Sequence, residues 1–302
     1  MDFGKVDPKE LPKVDFSLTK DPSRNKVMLG SAKGKTHEVY VGCAKWGRPD
    51  WIGKIYPKGT KAKEFLEHYA HQFRTIELNA TFYNIYPEAN TKGWADKTGK
   101  DFIFLPKFNQ NITHFRRLKN AGEVTDQFLK SISGFGNKLG PCFLQLPENF
   151  AFKNFETLES YLKSLPKDLD VFVEVRNPDW YTKENADTYF GMLAKHKFGA
   201  VITDTAGRRD CVHMNLTTSS TFIRFVGNGL HKTDYTRIDE WVQRIKKWMM
   251  KGMKEVYFLM HQHDELHSPE LCRYTIIELN KHCKLEIPVP QFVLKKDSGL
   301  FD

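Results

Sequence analysis

Short apolar runs recur along this chain, and most of them end in a polar or charged residue. T-I-E-L-N carries Glu77 and Asn79, F-I-F-L-P-K ends at Lys107, P-C-F-L-Q at Gln145 and V-F-V-E-V-R at Glu174 and Arg176. A-V-I-T-D ends at Asp204, V-Y-F-L-M-H at His261, and Arg224 lies inside F-I-R-F-V. Runs of this kind read as parallel strands buried on both faces. They predict strands over 39–44, 75–79, 102–107, 142–146, 171–176, 200–204, 222–226 and 256–261. Helical periods lie between most of them. The helix over 61–73 gathers Phe65, Leu66, Tyr69, Ala70 and Phe73 on one face, and a weaker helical stretch surrounds Trp94. A helix over 123–135 carries Val124, Phe128 and Leu129, and another, capped by Asn154, buries Phe155, Leu158, Tyr161, Leu162 and Leu165. Ala186, Tyr189, Phe190, Leu193 and Ala194 mark the next, then Ile238, Trp241, Val242, Ile245, Trp248 and Met249. The last opens at Ser268-Pro269-Glu270, a cap followed by proline at the first helical position. Residues 205–220 have no helical period, which predicts an irregular crossover between strands six and seven.

Strands and helices in alternation over roughly 250 residues predict an α/β protein, a single TIM-type (β/α)8 barrel. An open doubly wound sheet is the alternative, weakened by the absence of a Gly-x-Gly-x-x-Gly turn after the first strand. The barrel domain is expected over 38–290. A polar, lysine-rich extension over 1–37, partly ordered at best, precedes it, and a tail over 291–302 follows.

In such folds ligands bind at the carboxyl ends of the strands. Side chains two apart on a strand share a face, so Glu77 and Asn79 point one way and Ile76 and Leu78 the other. The polar pair is expected to face the barrel axis, and Glu174 with Arg176 to repeat the arrangement. Charges inside a barrel are costly unless they pair or reach water. Opposite signs converging on one mouth meet that requirement.

The formal charge of +9 comes from 46 basic against 37 acidic residues. An excess of this sign attracts anions. Nucleic acid is one reading, but the lysines are scattered, which favours a solvated surface or a small phosphorylated ligand. No stretch approaches the roughly 20 apolar residues of a membrane helix, and the first residues lack the order of a secretory signal. Five cysteines without Cys-x-x-Cys spacing read as reduced thiols of a cytoplasmic protein. Oligomeric state stays open.

The segments G-C-A-K-W with W-I-G-K-I-Y-P, E-L-N-A-T-F-Y, L-P-K-F-N-Q-N-I-T-H, L-G-P-C-F-L-Q-L-P, V-E-V-R-N-P-D-W and F-I-R-F-V-G resemble, in order, the YecE-like family, a bacterial group of unknown function. The resemblance runs from about Val41 to Asn280. It implies a TIM-type barrel in a cytoplasmic protein of bacterial or archaeal type, and no established reaction. The family pattern falls on Trp46, Glu77, Asn79, Phe82, Tyr83, Lys107, Thr113, His114, Gln145, Glu174, Arg176, Trp180, Asp204 and Arg224. This chain departs from it at Arg224-Phe225-Val226-Gly227, where the family carries a histidine, and at His261-Gln262-His263, where the family carries an asparagine pair.

The chemistry expected at the mouth follows from these residues. Glu77, Glu174 and Asp204 form its acidic part; Glu77 and Glu174 serve as general acid and base if their pKa values are pushed apart. Their plainer reading is ion pairing with Lys107, Arg176 or Arg224. Those three cations hold an anion, with arginine's planar fork suited to carboxylate or phosphate, and Asn79, Gln145 and His114 orient it. Trp46, Tyr83 and Trp180 follow strand ends and are expected to rim the mouth, where aromatic walls suit a flat ring; their alternative is loop packing. The leading expectation is therefore a metal-independent enzyme, or former enzyme, acting on a small anionic ligand with a ring, with no cofactor. One alternative is a metal-dependent phosphoesterase or nuclease of the endonuclease IV type, using Glu174, Asp204 and the histidines at 261, 263 and 267. Another is a non-catalytic protein that binds nucleic acid or a metabolite.

Overall fold

The computed structural model describes residues 3–30 and 37–293. A short helix, α1 (Arg24–Gly30), precedes the alternating units. These run β1 (Glu38–Cys43), α2 (Phe65–Gln72), β2 (Thr75–Leu78), α3 (Ala80–Tyr83), α4 (Glu88–Asp96), β3 (Ile103–Pro106), α5 (Gly122–Ser133), β4 (Cys142–Gln145) and α6 (Phe155–Ser164). They continue with β5 (Val171–Glu174), α7 (Lys183–His196), β6 (Gly199–Asp204), β7 (Ser220–Gly227), α8 (Lys232–Met250), β8 (Glu255–Gln262) and α9 (Ser268–Cys283). Every predicted strand is present, and the crossover from β6 to β7 holds only a single 3-10 turn, Arg209–Cys211.

All pairings are parallel. Six strands form one curled sheet in the order β1-β8-β7-β6-β5-β4, and β2 pairs with β3 alone. The continuous eight-strand ladder expected from the sequence is thus interrupted at two seams, each for an identifiable reason. Between β3 and β4 only isolated bridges remain, Phe104 to Leu139 and Lys107 to Phe143. The Ile103 and Lys107 amides point back toward β2, and the Phe108 amide reaches Phe143 O at 3.0 Å. Alternation therefore puts position 106 on the β4 side, and Pro106 has no N–H to donate there. Between β1 and β2 a side chain stands in for the ladder. The Tyr69 hydroxyl accepts from Cys43 N at 2.8 Å and donates to Thr75 O at 2.9 Å. Gly42 permits this approach, because any Cβ there would collide with the Thr75 carbonyl.

Two cores lie on the two faces of the sheet. The inner one joins Tyr40, Leu105, Phe143, Phe172, Val201, Phe222, Tyr257 and Leu259, one or two residues from each contributing strand. The outer one holds Ile76, Leu78, Ile202 and Phe225 against the helices. The period-two argument is realised: Ile76 and Leu78 face outward and Glu77 inward.

Three local expectations are corrected. Asn154 precedes α6 but makes no cap bond; its Nδ2 donates backward to Ala151 O at 3.1 Å. Ser268 is the first residue of α9, not its cap, and its hydroxyl donates to Glu265 Oε2 at 2.6 Å. The N-terminal segment is packed over its described part. Leu11 and Leu29 are buried, Asn25 bonds both Met214 O and Leu216 N, and Arg244 pairs with Asp21 at 2.8 Å. The tail leaves α9 with Val293 N bonded to Lys54 O; residues 294–302 of the expected tail lie outside the described residues. No helix among the described residues is long and apolar enough to cross a membrane.

Candidate functional site

Above the inner core, at the carboxyl ends of the strands, the inward face turns from apolar to charged. Arg224, on β7, lies at its centre. Its guanidinium takes Glu77 of β2 in a fork, Nε to Oε2 at 2.9 Å and Nη2 to Oε1 at 2.8 Å, and its Nη1 donates to Glu174 Oε2 of β5 at 2.6 Å. Arg176 Nε donates to the other Glu174 oxygen at 2.8 Å. His261 of β8 sets Nε2 2.9 Å from Glu77 Oε2, and its Nδ1 lies 3.6 Å from Glu265. Asn79 Nδ2 donates to Glu77 Oε1 at 2.8 Å. Lys107, just past β3, donates to Gln145 Oε1 of β4 at 2.7 Å. The Lys107 ammonium also sits 4.1 Å over the Phe82 ring. Glu77, Lys107, Gln145, Glu174, Arg224 and His261 are all buried.

Such charges survive burial because they satisfy one another. Burial alone would raise Glu77, but Arg224 and His261 hold its carboxyl well below the usual carboxylate range. Burial likewise opposes ionisation of Glu174, and Arg176 and Arg224 overcome it, bringing that carboxyl down to about 2. The two glutamates therefore move the same way and both stay ionised. An acid–base pair needs values pushed apart, so that expectation for Glu77 and Glu174 is corrected: their carboxylates hold the arginines in place. The group brought toward neutrality is a lysine, while the nearby histidine is driven below it. Burial, with repulsion from Arg224 and Arg176, brings the Lys107 ammonium down to about 7. Burial, with Lys107 and Arg176 nearby, lowers His114 to about 4.

The rim is formed by the segments after β2, β3 and β4. Phe82 and Tyr83 belong to α3, and Phe82 meets the His114 ring edge to face with centroids 4.9 Å apart. His114 belongs to a π-helical turn, Asn111–Phe115, a local irregularity that re-aims side chains, and Thr113 Oγ1 holds its Nδ1 at 2.8 Å. An open cleft of about 430 Å³ lies beside them, lined by His114, Gln145, Pro147, Glu148, Asn149 and Arg176. Two larger hollows, each about 720 Å³, lie between α5 and α6 and at the opposite end of the sheet, away from these charges.

Not every expected residue joins this site. Asp204 ends β6 but points outward, on the face of Ile202, where it accepts from Trp241 Nε1 at 2.7 Å and pairs with Arg237 at 2.8 Å and with Arg209. It serves the contact between the sheet and α8, across the sheet from Glu174. The donor set of a metal-dependent reading, Glu174 with Asp204 and the histidines, is consequently split between two faces. Among the described residues no three His, Cys, Asp or Glu side chains gather with metal-holding geometry. Trp180 is also corrected: it is fully buried, donates to Phe150 O at 2.7 Å and packs on Phe150, Phe152 and Tyr189. Trp46 is half-buried against Trp94, and Tyr83 stays exposed.

Two contributors carried no signal in the residue pattern. Phe82, given no role from its sequence alone, is the aromatic that covers Lys107; its place one residue after Thr81, whose hydroxyl ties the Leu78 and Lys107 carbonyls, is what aims it. Phe3, in the N-terminal segment, stacks 4.1 Å over the Arg176 guanidinium. It is held there by Thr205, whose hydroxyl lies 3.1 Å from Phe3 O and 3.2 Å from Gly4 O, and by Gly207 N on Gly4 O at 2.8 Å.

Comparison with known proteins places these features in context. The model of a protein family of unknown function, DUF72, matches residues 40–292. The UPF0759 protein YecE of Escherichia coli is 28% identical over 262 residues, which are 80% of this chain and 93% of that protein. The UPF0759 protein YunF of Bacillus subtilis is 31% identical over 153 residues, 48% of this chain and 52% of that protein. Among solved structures, a DUF72 family protein of Thermotoga maritima superposes with a TM-score of 0.61 at 24% identity, covering 82% of this chain and all of that one. One from Enterococcus faecalis superposes with a TM-score of 0.63 at 17% identity, covering 85% of this chain and 98% of that one. At these identities the superpositions speak for the fold.

Proposed function

The chain belongs to the DUF72 family, whose function is unknown, and we propose that it is an enzyme acting on a small anionic ligand held at the carboxyl mouth of the sheet. The observation that carries this is the unequal use of the mouth cations. Arg224 is consumed by two carboxylates. Arg176 spends only Nε on Glu174; its two Nη groups bond no side chain among the described residues, and the residue lines the open cleft. Lys107 makes no ion pair among the described residues and bonds only a neutral amide. A guanidinium that lines open space with its two Nη groups free of carboxylates, and a buried ammonium one residue behind it through Gln145, are the elements of a carboxylate or phosphate site.

In this reading Arg176 takes the anion, Lys107, Gln145 and His114 orient it, and Phe82 with Tyr83 provides an apolar wall for a ring. Glu77, Glu174 and Asn79 are positioning residues for the arginines. The eight strands act as one closed (β/α)8 barrel whose β1–β2 seam is completed by Tyr69. The five unpaired thiols suit a cytoplasmic enzyme.

Thermal unfolding across sugar phosphates, nucleotides and organic acids tests the proposal. A ligand at a hundred times its Kd stabilises the folded state by about 2.7 kcal/mol. At least one compound class is expected to raise Tm in the wild type and not in Arg176→Ala. No shift with any compound, or equal shifts in both proteins, rejects the site.

A further inference from the structure

Lys107 differs in kind from the arginines around it. It rises from the end of β3 on the inward face, below the half-buried ring of Phe82 and beside the buried Phe143, whose centroid lies 5.8 Å away. Its single side-chain partner among the described residues is Gln145 Oε1, a neutral acceptor. The nearby carboxylates of Glu77 and Glu174 have given their oxygens to Arg224, Arg176 and His261. The amine is thus desolvated, flanked by Arg224 and Arg176, and in no ion pair among the described residues. These are the conditions under which a lysine nitrogen exists as a free base and attacks carbonyl carbon. Gln145, the residue that aims it, also lines the cleft with His114 and Arg176.

We propose that Lys107 is a catalytic nucleophile that forms a Schiff base with a carbonyl compound carrying a carboxylate or phosphate, the anion lying on Arg176 and the carbonyl carbon on the Lys107 amine. The inference rests on the anion-site reading above and names the substrate class for it. The Lys107 nitrogen lone pair attacks the carbonyl carbon, forming the C–N bond while the C=O π pair moves to oxygen. That oxygen takes a proton and the nitrogen releases one, giving a neutral carbinolamine. Loss of the hydroxyl as water, with one further proton, leaves the protonated imine. The balance is carbonyl plus amine plus one proton giving iminium plus water, with no oxidant or reductant. His114, neutral at the pH of the reaction because burial and the Lys107 and Arg176 charges hold it near 4, is placed beside the cleft to relay protons. An amine lowered to about 7 is half free at neutral pH, whereas solvated lysines are almost wholly protonated.

Pyruvate and glyceraldehyde 3-phosphate, each incubated with full-length protein and sodium cyanoborohydride at pH 7, provide the test. The reductant traps an imine as a stable secondary amine, and peptide mapping by mass spectrometry locates it. Lys107 is expected to be labelled about tenfold or more faster than solvated lysines by at least one of the two, with excess inorganic phosphate slowing the labelling. Labelling spread evenly over surface lysines, or none at Lys107, overturns the inference. The readout is on the wild type and so does not depend on a variant folding; Lys107→Met serves as the blank for the assigned peptide. Failure here, with phosphate-dependent stabilisation still lost in Arg176→Ala, leaves the anion site standing and removes only the Schiff base. Absence of both removes the two together.

Discussion

Replacing Glu174 by glutamine tests the charged layer as a set of real, ionised pairs. The substitution keeps the shape of the side chain and removes the charge that Arg224 Nη1 and Arg176 Nε share at 2.6 and 2.8 Å. Although burial opposes it, the two arginines bring the folded-state value of Glu174 from 4.5 down to about 2. That gap corresponds to about 3 kcal/mol of stability at neutral pH, in line with the roughly 3–5 kcal/mol lost when one partner of a buried pair is removed. The sign follows from the direction. Because the folded value lies below the unfolded one, the unfolded chain binds the proton first as pH falls. The contribution is fully present above about 4.5 and is lost as pH drops through about 2. Urea unfolding followed by tryptophan fluorescence, in steps from pH 7 to pH 2, should show Glu174→Gln less stable by about 3 kcal/mol at pH 7. The difference should close toward zero at the acid end. A variant within about 0.5 kcal/mol of wild type at pH 7, or a deficit that does not change with pH, would show that Glu174 is not held as described.

Asp204→Asn removes the nearer of the two carboxylates that face the buried Arg237 guanidinium, leaving Asp234 at 3.5 Å, and should cost about 3 kcal/mol in the same unfolding assay, while leaving any anion-induced Tm shift unchanged; loss of that shift would return Asp204 to the site. Trp180→Phe removes the donor to Phe150 O and should cost about 1–3 kcal/mol, again with ligand stabilisation intact. Anion binding should weaken as pH rises through about 7, where Lys107 loses its proton, and calorimetry in buffers of different ionisation heat should record proton uptake on binding; binding that is flat from pH 6 to pH 8 would exclude Lys107 from the anion's contacts.

The inward placement of Glu77 is legible in the sequence because Ile76 and Leu78 flank it with an unambiguous alternation. The outward placement of Asp204 is hidden because its run, A-V-I-T-D, has apolar residues on both faces, so its position at a strand end does not tell which face it takes. Only the pairing of Thr203 with Arg224 settles that Thr203 points inward and Asp204 outward. Trp180 follows a strand that ends in site residues, yet the turn Pro178–Tyr181 rotates it under Phe150, and a turn of this kind leaves no periodicity to read. The N-terminal segment is anchored by isolated contacts such as Asn25 and Leu29 rather than by a repeating face, and hydrophobic patterning detects only the latter. The seams of the sheet lay in plain view as Pro106 and Gly42, but their meaning depends on which neighbour each backbone group faces.

The central claim is an anion bound between Arg176 and Lys107, and the most direct measurement is crystallographic. Crystals of the tag-free protein soaked in selenate and measured at the selenium absorption edge locate the anion independently of any structural bias. An anomalous peak within hydrogen-bond distance of the Arg176 Nη atoms, beside Lys107 and His114 and absent in Arg176→Ala crystals, is the predicted result. Selenate bound only at surface lysines, with ordered water filling the mouth, would contradict it.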